Sequence, residues 1–324
     1  MIVSRALTAS AVLASMVSAC HRSPSADDHM SHMSASDMAS TSMSTAAGPS
    51  QGAVNLPASS NSAAARLAAS PRHSEWVKIP WAPGSSDSLM AWVVYPSTSR
   101  AKTPVVVVVH EIFGLSTWVR AVADQAAADG FIAIAPDLES RVRGGPSTAE
   151  LSGDSARKLI ANVDAAERNR GVAAAARYAM SQPSAAPRYA VIGYCWGGQT
   201  VFMHATNGGV NGFSGGVAFY GLPYMNGAVP NRDSLAKITR PVMLLSGSKD
   251  ARIGAAMPAV DSMMRALGKT YTGTNYEGAV HGFLRAQDDP KTPRDPAEEA
   301  ANMAATRDGW PRTVAFLKKN LGMN

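Results

Sequence analysis

The sequence VIGYCWGG, residues 191–198, joins an apolar strand to the helical run Thr200 to Ala205 through a turn centred on Cys195. Small residues on both sides of the cysteine let the backbone double back sharply, as a strand-to-helix turn requires. The turn lifts the sulfur to the helix N-terminus, where backbone N–H groups and the helix dipole favour the reactive thiolate. The stretch therefore predicts a nucleophile in an α/β sheet, and the alternative is a structural cysteine buried beside a glycine turn.

Short apolar runs alternate with longer helical stretches around this turn. The run PVVVVV, residues 104–109, is apolar without alternation, which indicates a strand covered on both faces. Strands are predicted over 76–79, 89–95, 104–109, 131–135, 189–193, 216–220, 241–246 and 271–276. Helices are predicted over 117–129, over 154–181 as one helix or two, and within 296–321. This order predicts an α/β fold with a mostly parallel sheet of about eight strands, helices on both faces, and a site at the carboxyl ends of the strands.

The composition excludes several classes of protein. The chain has 324 residues, of which 46% are hydrophobic and 17% charged, so it can form one large core and is neither disordered nor a coiled coil. Its two cysteines are too few for a disulfide-rich scaffold or for an all-cysteine zinc site. The net charge is +6, but the 30 Lys and Arg residues are scattered, so we expect no nucleic-acid partner.

Residues 1–20 have the features of an export signal, because Arg5 precedes an apolar run that ends in VSAC, residues 17–20. The run is too short and too weakly apolar for a spanning helix, which needs about 20 apolar residues. VSAC resembles the lipobox of bacterial lipoproteins, which implies that Cys20 is lipidated. We therefore expect an exported lipoprotein, anchored to a membrane in the periplasm or at the cell surface. A cleaved signal without lipid and an uncleaved anchor are the alternatives.

Residues 21–73 are rich in Ser, Ala, Met and Pro without periodic hydrophobicity, which predicts a disordered tether before a folded domain over 74–324. Within the tether, HMSHM at residues 29–33 carries imidazole and thioether groups, which are ligands that suit copper. A linker without metal affinity is the simpler interpretation. We expect no metal site and no cofactor.

A nucleophilic cysteine needs a base, and the positions of the histidines narrow the choice. Four of the seven histidines lie in or beside the tether. His204 lies in the helix after the turn, where it is predicted to pack or to face the surface, and His110 ends the third strand. Because α/β-hydrolases carry nucleophile, acid and base in that order along the chain, His281, in a loop after the last predicted strand, is the expected base.

Asp250 is the preferred acid to orient His281. It follows the strand over 241–246 through a short turn, at the carboxyl end of the strand, where the acid of a triad belongs. Asp261 falls within a helical pattern and Asp233 within a polar loop. The alternative is that Asp250 only caps the next turn.

Four motifs now occur in order: HEIFG at 110–114, GYCWGG at 193–198, GSKD at 247–250 and HGF at 281–283. In this order they resemble the dienelactone hydrolase family, from about residue 75 to the C-terminus. The resemblance implies an α/β-hydrolase fold with Cys195, Asp250 and His281 as the triad. It implies that Glu111 holds the resting cysteine as a neutral thiol. It also implies that the backbone N–H groups of Ile112 and Trp196 bind the oxyanion.

Members of this family bind the carboxylate of a dienelactone with two arginines. Arg141 corresponds to the first, with Arg143 as a nearby substitute, and Arg285 corresponds to the second. A planar guanidinium matches a carboxylate in bidentate fashion, which favours acidic substrates. Surface arginines without a ligand are the alternative. His110 is close enough to the nucleophile in this scheme to line the substrate site.

The sequence thus predicts a monomeric hydrolase that cleaves a small, anionic ester or lactone through a thioester intermediate. One alternative is a lipid-anchored binding protein of the same fold that handles metal through its tether. Another is an esterase of neutral esters, in which Arg141 and Arg285 face away from the pocket. The tether and the bulky Trp196 depart from the pattern of the family and leave the natural ester open.

Overall fold

A computed structural model describes residues 56–98, 102–147, 153–287 and 295–323. All eight predicted strands are confirmed, and a two-stranded hairpin that was not predicted accompanies them. In chain order the strands are β1 (Ser74–Pro80), β2 (Ser88–Val94), β3 (Thr103–Val109), β4 (Ile132–Asp137), β5 (Ala185–Tyr194), β6 (Phe213–Phe219), β7 (Met225–Asn226), β8 (Val229–Pro230), β9 (Val242–Gly247) and β10 (Tyr271–Tyr276).

Helices form in the predicted stretches, and the Ala-rich stretch after residue 153 forms two of them. Helices over Ala63–Ala68, Ser140–Arg143 and Arg232–Ala236 were not predicted, and the last contains Asp233, which the sequence placed in a polar loop. In chain order the helices of the described residues are α1 (Ala63–Ala68), α2 (Thr117–Ala128), α3 (Ser140–Arg143), α4 (Gly153–Ile160), α5 (Ala165–Met180), α6 (Trp196–Thr206), α7 (Arg232–Ala236), α8 (Ala251–Ala266) and α9 (Pro296–Asn320). None of the helices in the described part of the chain combines the length and the apolar composition needed to cross a bilayer.

The main sheet has the strand order β1-β2-β4-β3-β5-β6-β9-β10. Strand β2 runs antiparallel to both of its neighbours, and every pairing from β4 to β10 is parallel. Because parallel neighbours need crossover connections, the helices between them must cover the faces of the sheet. The carboxyl ends of the parallel strands therefore meet at one edge.

Strand β3 shows how the sheet separates two apolar cores. Val105, Val107 and Val109 pack with residues of α5, α6 and α8 on one face. Val106 and Val108 pack with residues of α1, α2 and α9 on the other. Because side chains alternate along a strand and both faces are covered, all the positions from 105 to 109 are apolar, which explains the unbroken run of valines.

Residues 56–73, which we call the N-terminal strap, are part of the folded domain. Ala58 and Ala63 are buried in the core that contains α2. Arg72 donates to both carboxylate oxygens of Asp124 on α2, at 2.8 and 2.5 Å. The prediction of a disordered tether over 21–73 is therefore wrong for its last 18 positions, because a Ser- and Ala-rich stretch can be fixed by partners far away in the sequence.

The other predictions for the N-terminal region lie outside the described residues. They are the signal over 1–20, lipidation of Cys20 and the HMSHM motif at 29–33.

Candidate active site

Cys195 lies on a sharp turn between β5 and α6, with φ 56° and ψ −113°. A non-glycine residue rarely adopts a positive φ, so the surrounding backbone must hold it there. A Cβ on Gly193 would lie 2.2 Å from the Gly197 carbonyl oxygen, and a Cβ on Gly197 would lie 2.4 Å from the Val109 carbonyl oxygen. The turn therefore requires glycine at both positions, and it presses the start of α6 against the end of β3.

Asp250 and His281 form the next part of the site. Asp250 Oδ2 lies 2.5 Å from His281 Nδ1, while Asp250 Oδ1 accepts the N–H of Ile253 at 3.1 Å and caps α8. The sequence leaves two roles open for Asp250, orientation of His281 and capping of the next turn. In the structure Oδ2 makes the contact needed for the first role, and Oδ1 makes the contact needed for the second. Burial opposes ionisation of Asp250, but its hydrogen bonds to His281 and Ile253 outweigh burial and lower its pKa.

His281 connects this carboxylate to the cysteine. Its Nδ1 lies 2.5 Å from Asp250 Oδ2, and Cys195 is another group near the ring. Burial alone would lower the pKa of His281, but its interactions with Asp250 and Cys195 raise it to about 10. The raised pKa favours the imidazolium form of His281, which is the form that can give a proton to a leaving group.

Tyr220 supports the histidine and was missed at the sequence level. It follows β6 at the carboxyl edge of the sheet, has φ 40°, and its ring centroid lies 5.0 Å from that of His281. The ring is fully buried, and its hydroxyl has no hydrogen-bond partner among the described residues. The position of Tyr220 at the end of the strand predicted over 216–220 was the signal that could have placed it in the site.

Glu111 is paired with Arg285. The Nε of Arg285 lies 2.9 Å from Glu111 Oε2, and the Glu111 side chain is 4% exposed. Burial raises the pKa of Glu111, and the neighbouring charges of Arg285 and His281 oppose the shift without cancelling it. The expected partner of Glu111 was the resting thiol, whereas in this structure its ion-pair partner is Arg285.

The two expected oxyanion donors lie at the junction of β3 and α6. Trp196 is the first residue of α6, so its N–H has no helix carbonyl to bond. Ile112 lies in the turn after β3, against which the start of α6 is packed. The Trp196 ring stacks on His110 at 5.5 Å, and the Arg168 guanidinium lies 4.6 Å from the ring centroid of Trp196. Arg168 comes from the Ala-rich helix α5, where no local signal marked it.

His110 was predicted to line the substrate site, but in the structure it binds the backbone. Its ring is fully buried, Nδ1 lies 2.6 Å from the Glu111 carbonyl oxygen, and Nε2 accepts the N–H of Leu138 at 3.1 Å. Burial is the main cause that lowers the pKa of His110, so the ring is neutral, with Nδ1 donating. Because both nitrogens are occupied by the backbone, His110 ties the loop of Glu111 to the end of β4 and offers no polar atom to a substrate.

Arg141 was predicted to bind the carboxylate of the substrate, but in the structure it is paired with carboxylates of the protein. Its Nη2 lies 2.7 Å from Asp87 Oδ2, its Nη1 pairs with Glu167, and its guanidinium lies 4.8 Å from the ring centroid of Trp81. The nearby Arg143 donates to Ser147 Oγ at 3.0 Å. Arg141 is thus held by two carboxylates, whereas Arg285, the other predicted carboxylate ligand, lies beside Glu111.

Comparison with known proteins identifies the family of the chain. Residues 89–321 match the model of the dienelactone hydrolase family. A protein of Salmonella typhimurium named as a carboxymethylenebutenolidase is 28% identical over 246 residues, which cover 72% of this chain and 84% of the relative. A Bradyrhizobium protein named as a 2-oxo-3-(5-oxofuran-2-ylidene)propanoate lactonase is 26% identical over 259 residues, which cover 76% and 94%.

The fold has a counterpart among solved structures. A crystal structure from Klebsiella pneumoniae, named as a dienelactone hydrolase, superposes with a TM-score of 0.60 at 25% sequence identity. The match covers 76% of this chain and 99% of that chain.

Proposed function

The chain belongs to the dienelactone hydrolase family and is a hydrolase with the α/β-hydrolase fold, and from this premise we propose that it cleaves a small ester or lactone through a thioester on Cys195. The observation that carries the proposal is the 2.5 Å contact between Asp250 Oδ2 and His281 Nδ1, together with the place of Cys195 near His281 on the strand-to-helix turn. A cysteine, a base within reach and an acid that orients the base are the parts that nucleophilic acyl transfer needs.

In the first half of the reaction His281 holds the proton of the Cys195 thiol, and the sulfur attacks the carbonyl carbon of the substrate. The carbonyl oxygen gains negative charge and accepts hydrogen bonds from the N–H groups of Ile112 and Trp196. The tetrahedral intermediate then collapses, the bond to the leaving oxygen breaks, and His281 gives its proton to that oxygen. The product is a thioester; with a lactone, the leaving alcohol stays attached to the acyl group.

In the second half neutral His281 removes a proton from water, which attacks the thioester carbonyl. The same two N–H groups bind the oxyanion again. The carbon–sulfur bond breaks, the acid leaves, and the proton on His281 pairs once more with the sulfur. Asp250 keeps the ring in the orientation that both proton transfers require.

The preferred substrate carries a carboxylate that binds Arg285. The Arg285 side chain is 32% exposed, so an anion from solvent can reach it, and its bound Glu111 is the group that such an anion would replace. The name of the Bradyrhizobium relative supports anionic substrates, because the lactone in that name carries the carboxylate of its propanoate group.

A second candidate function is hydrolysis of neutral esters. It is favoured by the ion pairs that already neutralise both expected arginines, Arg285 with Glu111 and Arg141 with Asp87 and Glu167. In that case Arg285 serves only to compensate the buried charge of Glu111.

A comparison of Arg285→Met with Arg141→Met separates the two candidates. We expect Arg285→Met to raise KM for a carboxylate-bearing dienelactone by at least about tenfold, and to leave KM for p-nitrophenyl acetate close to that of wild type. Arg141→Met removes the same charge away from the triad and should leave the ratio of the two KM values unchanged. Equal effects of Arg285→Met on both substrates would favour the neutral esters.

The proposal extends to the location of the enzyme. An export signal over 1–20, lipid on Cys20 and the tether that follows would hold a monomeric domain near a membrane surface, either in the periplasm or outside the cell. The support for this part is the VSAC sequence and the composition of the tether.

A further inference from the structure

We propose that the N-terminal strap positions Arg285, and thereby contributes to the specificity of the active site. The inference rests on the proposed function of Arg285 as the carboxylate ligand. The strap precedes residues 89–321, the part of the chain that matches the family model.

The strap reaches the backbone of the arginine itself. The N–H of Ser60 donates to the carbonyl oxygen of Arg285 at 2.9 Å. Two residues further along, Gln287 Nε2 donates to the carbonyl oxygen of Pro57 at 2.8 Å. The strap and the segment that carries Arg285 are therefore joined by a hydrogen bond in each direction.

The segment around Arg285 has little regular structure of its own. The N–H groups of Arg285 and Ala286 both donate to the carbonyl oxygen of Gly282, which has φ 75°. Such a turn lacks the ladder of bonds that holds a strand or a long helix, so its hydrogen bonds to the strap fix where the Arg285 side chain begins. A shift of about 1 Å in a substrate-positioning group is enough to cost much of its effect.

The strap is itself anchored firmly to the domain. Trp118 Nε1 on α2 donates to the carbonyl oxygen of Ala58 at 2.9 Å, and Ala58 is buried. At the other end of the strap, Arg72 forms a buried ion pair with Asp124 at 2.5 Å. The strap is thus held on α2 on both sides of Ser60, the residue that contacts Arg285.

Two variants of the full chain remove the two hydrogen bonds. Ser60→Pro removes the N–H that reaches Arg285, and Gln287→Met removes the donor to Pro57 while keeping a side chain of similar length. Arg188→Met is the matched control, because Arg188 Nη1 also donates to a backbone carbonyl, that of Leu321 at 2.9 Å, near the opposite end of β5. The substrates are a carboxylate-bearing dienelactone and p-nitrophenyl acetate.

We expect both strap variants to raise KM for the dienelactone by about tenfold, with kcat and the KM for p-nitrophenyl acetate close to wild type. A general loss of folded protein would instead lower kcat for both substrates alike. Unchanged KM for the dienelactone in both strap variants, while Arg285→Met raises it, would overturn the proposal.

Hydrogen exchange of the amides at residues 282–287 tests the strap independently of the substrate. Exchange should be faster in Ser60→Pro and in Gln287→Met than in wild type, and unchanged in Arg188→Met. If Arg285→Met does not alter the preference for the anionic substrate, the proposed binding of a carboxylate by Arg285 is wrong. Faster exchange at residues 282–287 in the strap variants would then still show that the strap holds this segment in place. Unchanged exchange would show that the strap does not hold it.

Discussion

Asp250 uses its two carboxylate oxygens for two different purposes. Oδ1 caps α8 through the N–H of Ile253, and Oδ2 orients His281. An asparagine can accept the capping hydrogen bond almost as well as an aspartate can, but it lacks the negative charge that stabilises an imidazolium. The two purposes can therefore be separated by one substitution.

Asp250→Asn should lower kcat by a factor of about 10³ to 10⁴ while the melting temperature stays close to that of wild type. Asp164→Asn is the control, since Asp164 caps α5 by accepting the N–H of Glu167 at 2.6 Å. Steady-state kinetics and calorimetry on both variants give the two readouts. Full activity in Asp250→Asn would remove Asp250 from the triad.

The raised pKa of His281 makes stability depend on pH in a defined direction. The folded protein holds the His281 proton up to a pKa of about 10, against an ordinary value of 6.5. The stabilising contribution is therefore complete below about pH 6.5 and disappears as the pH rises toward 10. The free energy of unfolding of wild type minus that of His281→Gln, from urea titrations, should fall across this range. A difference that grows with pH would contradict the assigned pairing.

The turn around Cys195 is set by backbone contacts that cannot relax. A Cβ on Gly193 would meet the Gly197 carbonyl at 2.2 Å, whereas a Cβ on Gly145 would meet nothing within 4 Å. We expect Gly193→Ala to lower the free energy of unfolding by about 1–3 kcal/mol and to reduce activity, and Gly145→Ala to change neither. Urea unfolding measures the effect, and equal stability of the two variants would show that the turn tolerates a side chain.

The elements of the sheet were predictable because most of its strands are short apolar runs between turn residues, and most of its long helices follow a strand. The hairpin β7–β8 was missed because strands of two residues carry no periodic pattern. The N-terminal strap was missed for a different reason. The hydrogen bonds that join it to the rest of the domain link residues 52 to 230 positions apart, and its Ser- and Ala-rich composition is typical of a linker.

The residues of the candidate site also differ in how well the sequence predicts their contacts. Cys195, Asp250 and His281 could be predicted because each follows a recognisable strand, and the structure brings them together. Arg141 could not be assigned from sequence, because its partners Asp87 and Glu167 come from other elements and their pairing is not local.

At the scale of the whole molecule, the strand order brings distant segments to one edge of the sheet. Glu111 follows β3, Cys195 follows β5, Tyr220 follows β6, Asp250 follows β9, and His281 follows β10. Two apolar cores, one on each face, hold these strands in register, so the site rests on the most buried part of the domain. The strap adds a contact from the N-terminal side of β1 to this edge.

Anchoring is a prediction about the whole chain in a cell. In a bacterial host the full chain should fractionate with membranes and incorporate labelled fatty acid, and Cys20→Ala should lose the label and leave the membrane fraction. Cys195→Ala is the matched control and should keep both properties. Unlabelled wild-type protein would rule out the lipid anchor.

Rapid acid quench followed by peptide mass spectrometry can detect the proposed thioester on Cys195. During turnover of p-nitrophenyl acetate the peptide that contains Cys195 should carry the mass of one acetyl group, and the Cys195→Ala variant should neither carry it nor hydrolyse the ester. Undiminished hydrolysis by Cys195→Ala, with no acetyl group on the wild-type peptide, would contradict the account.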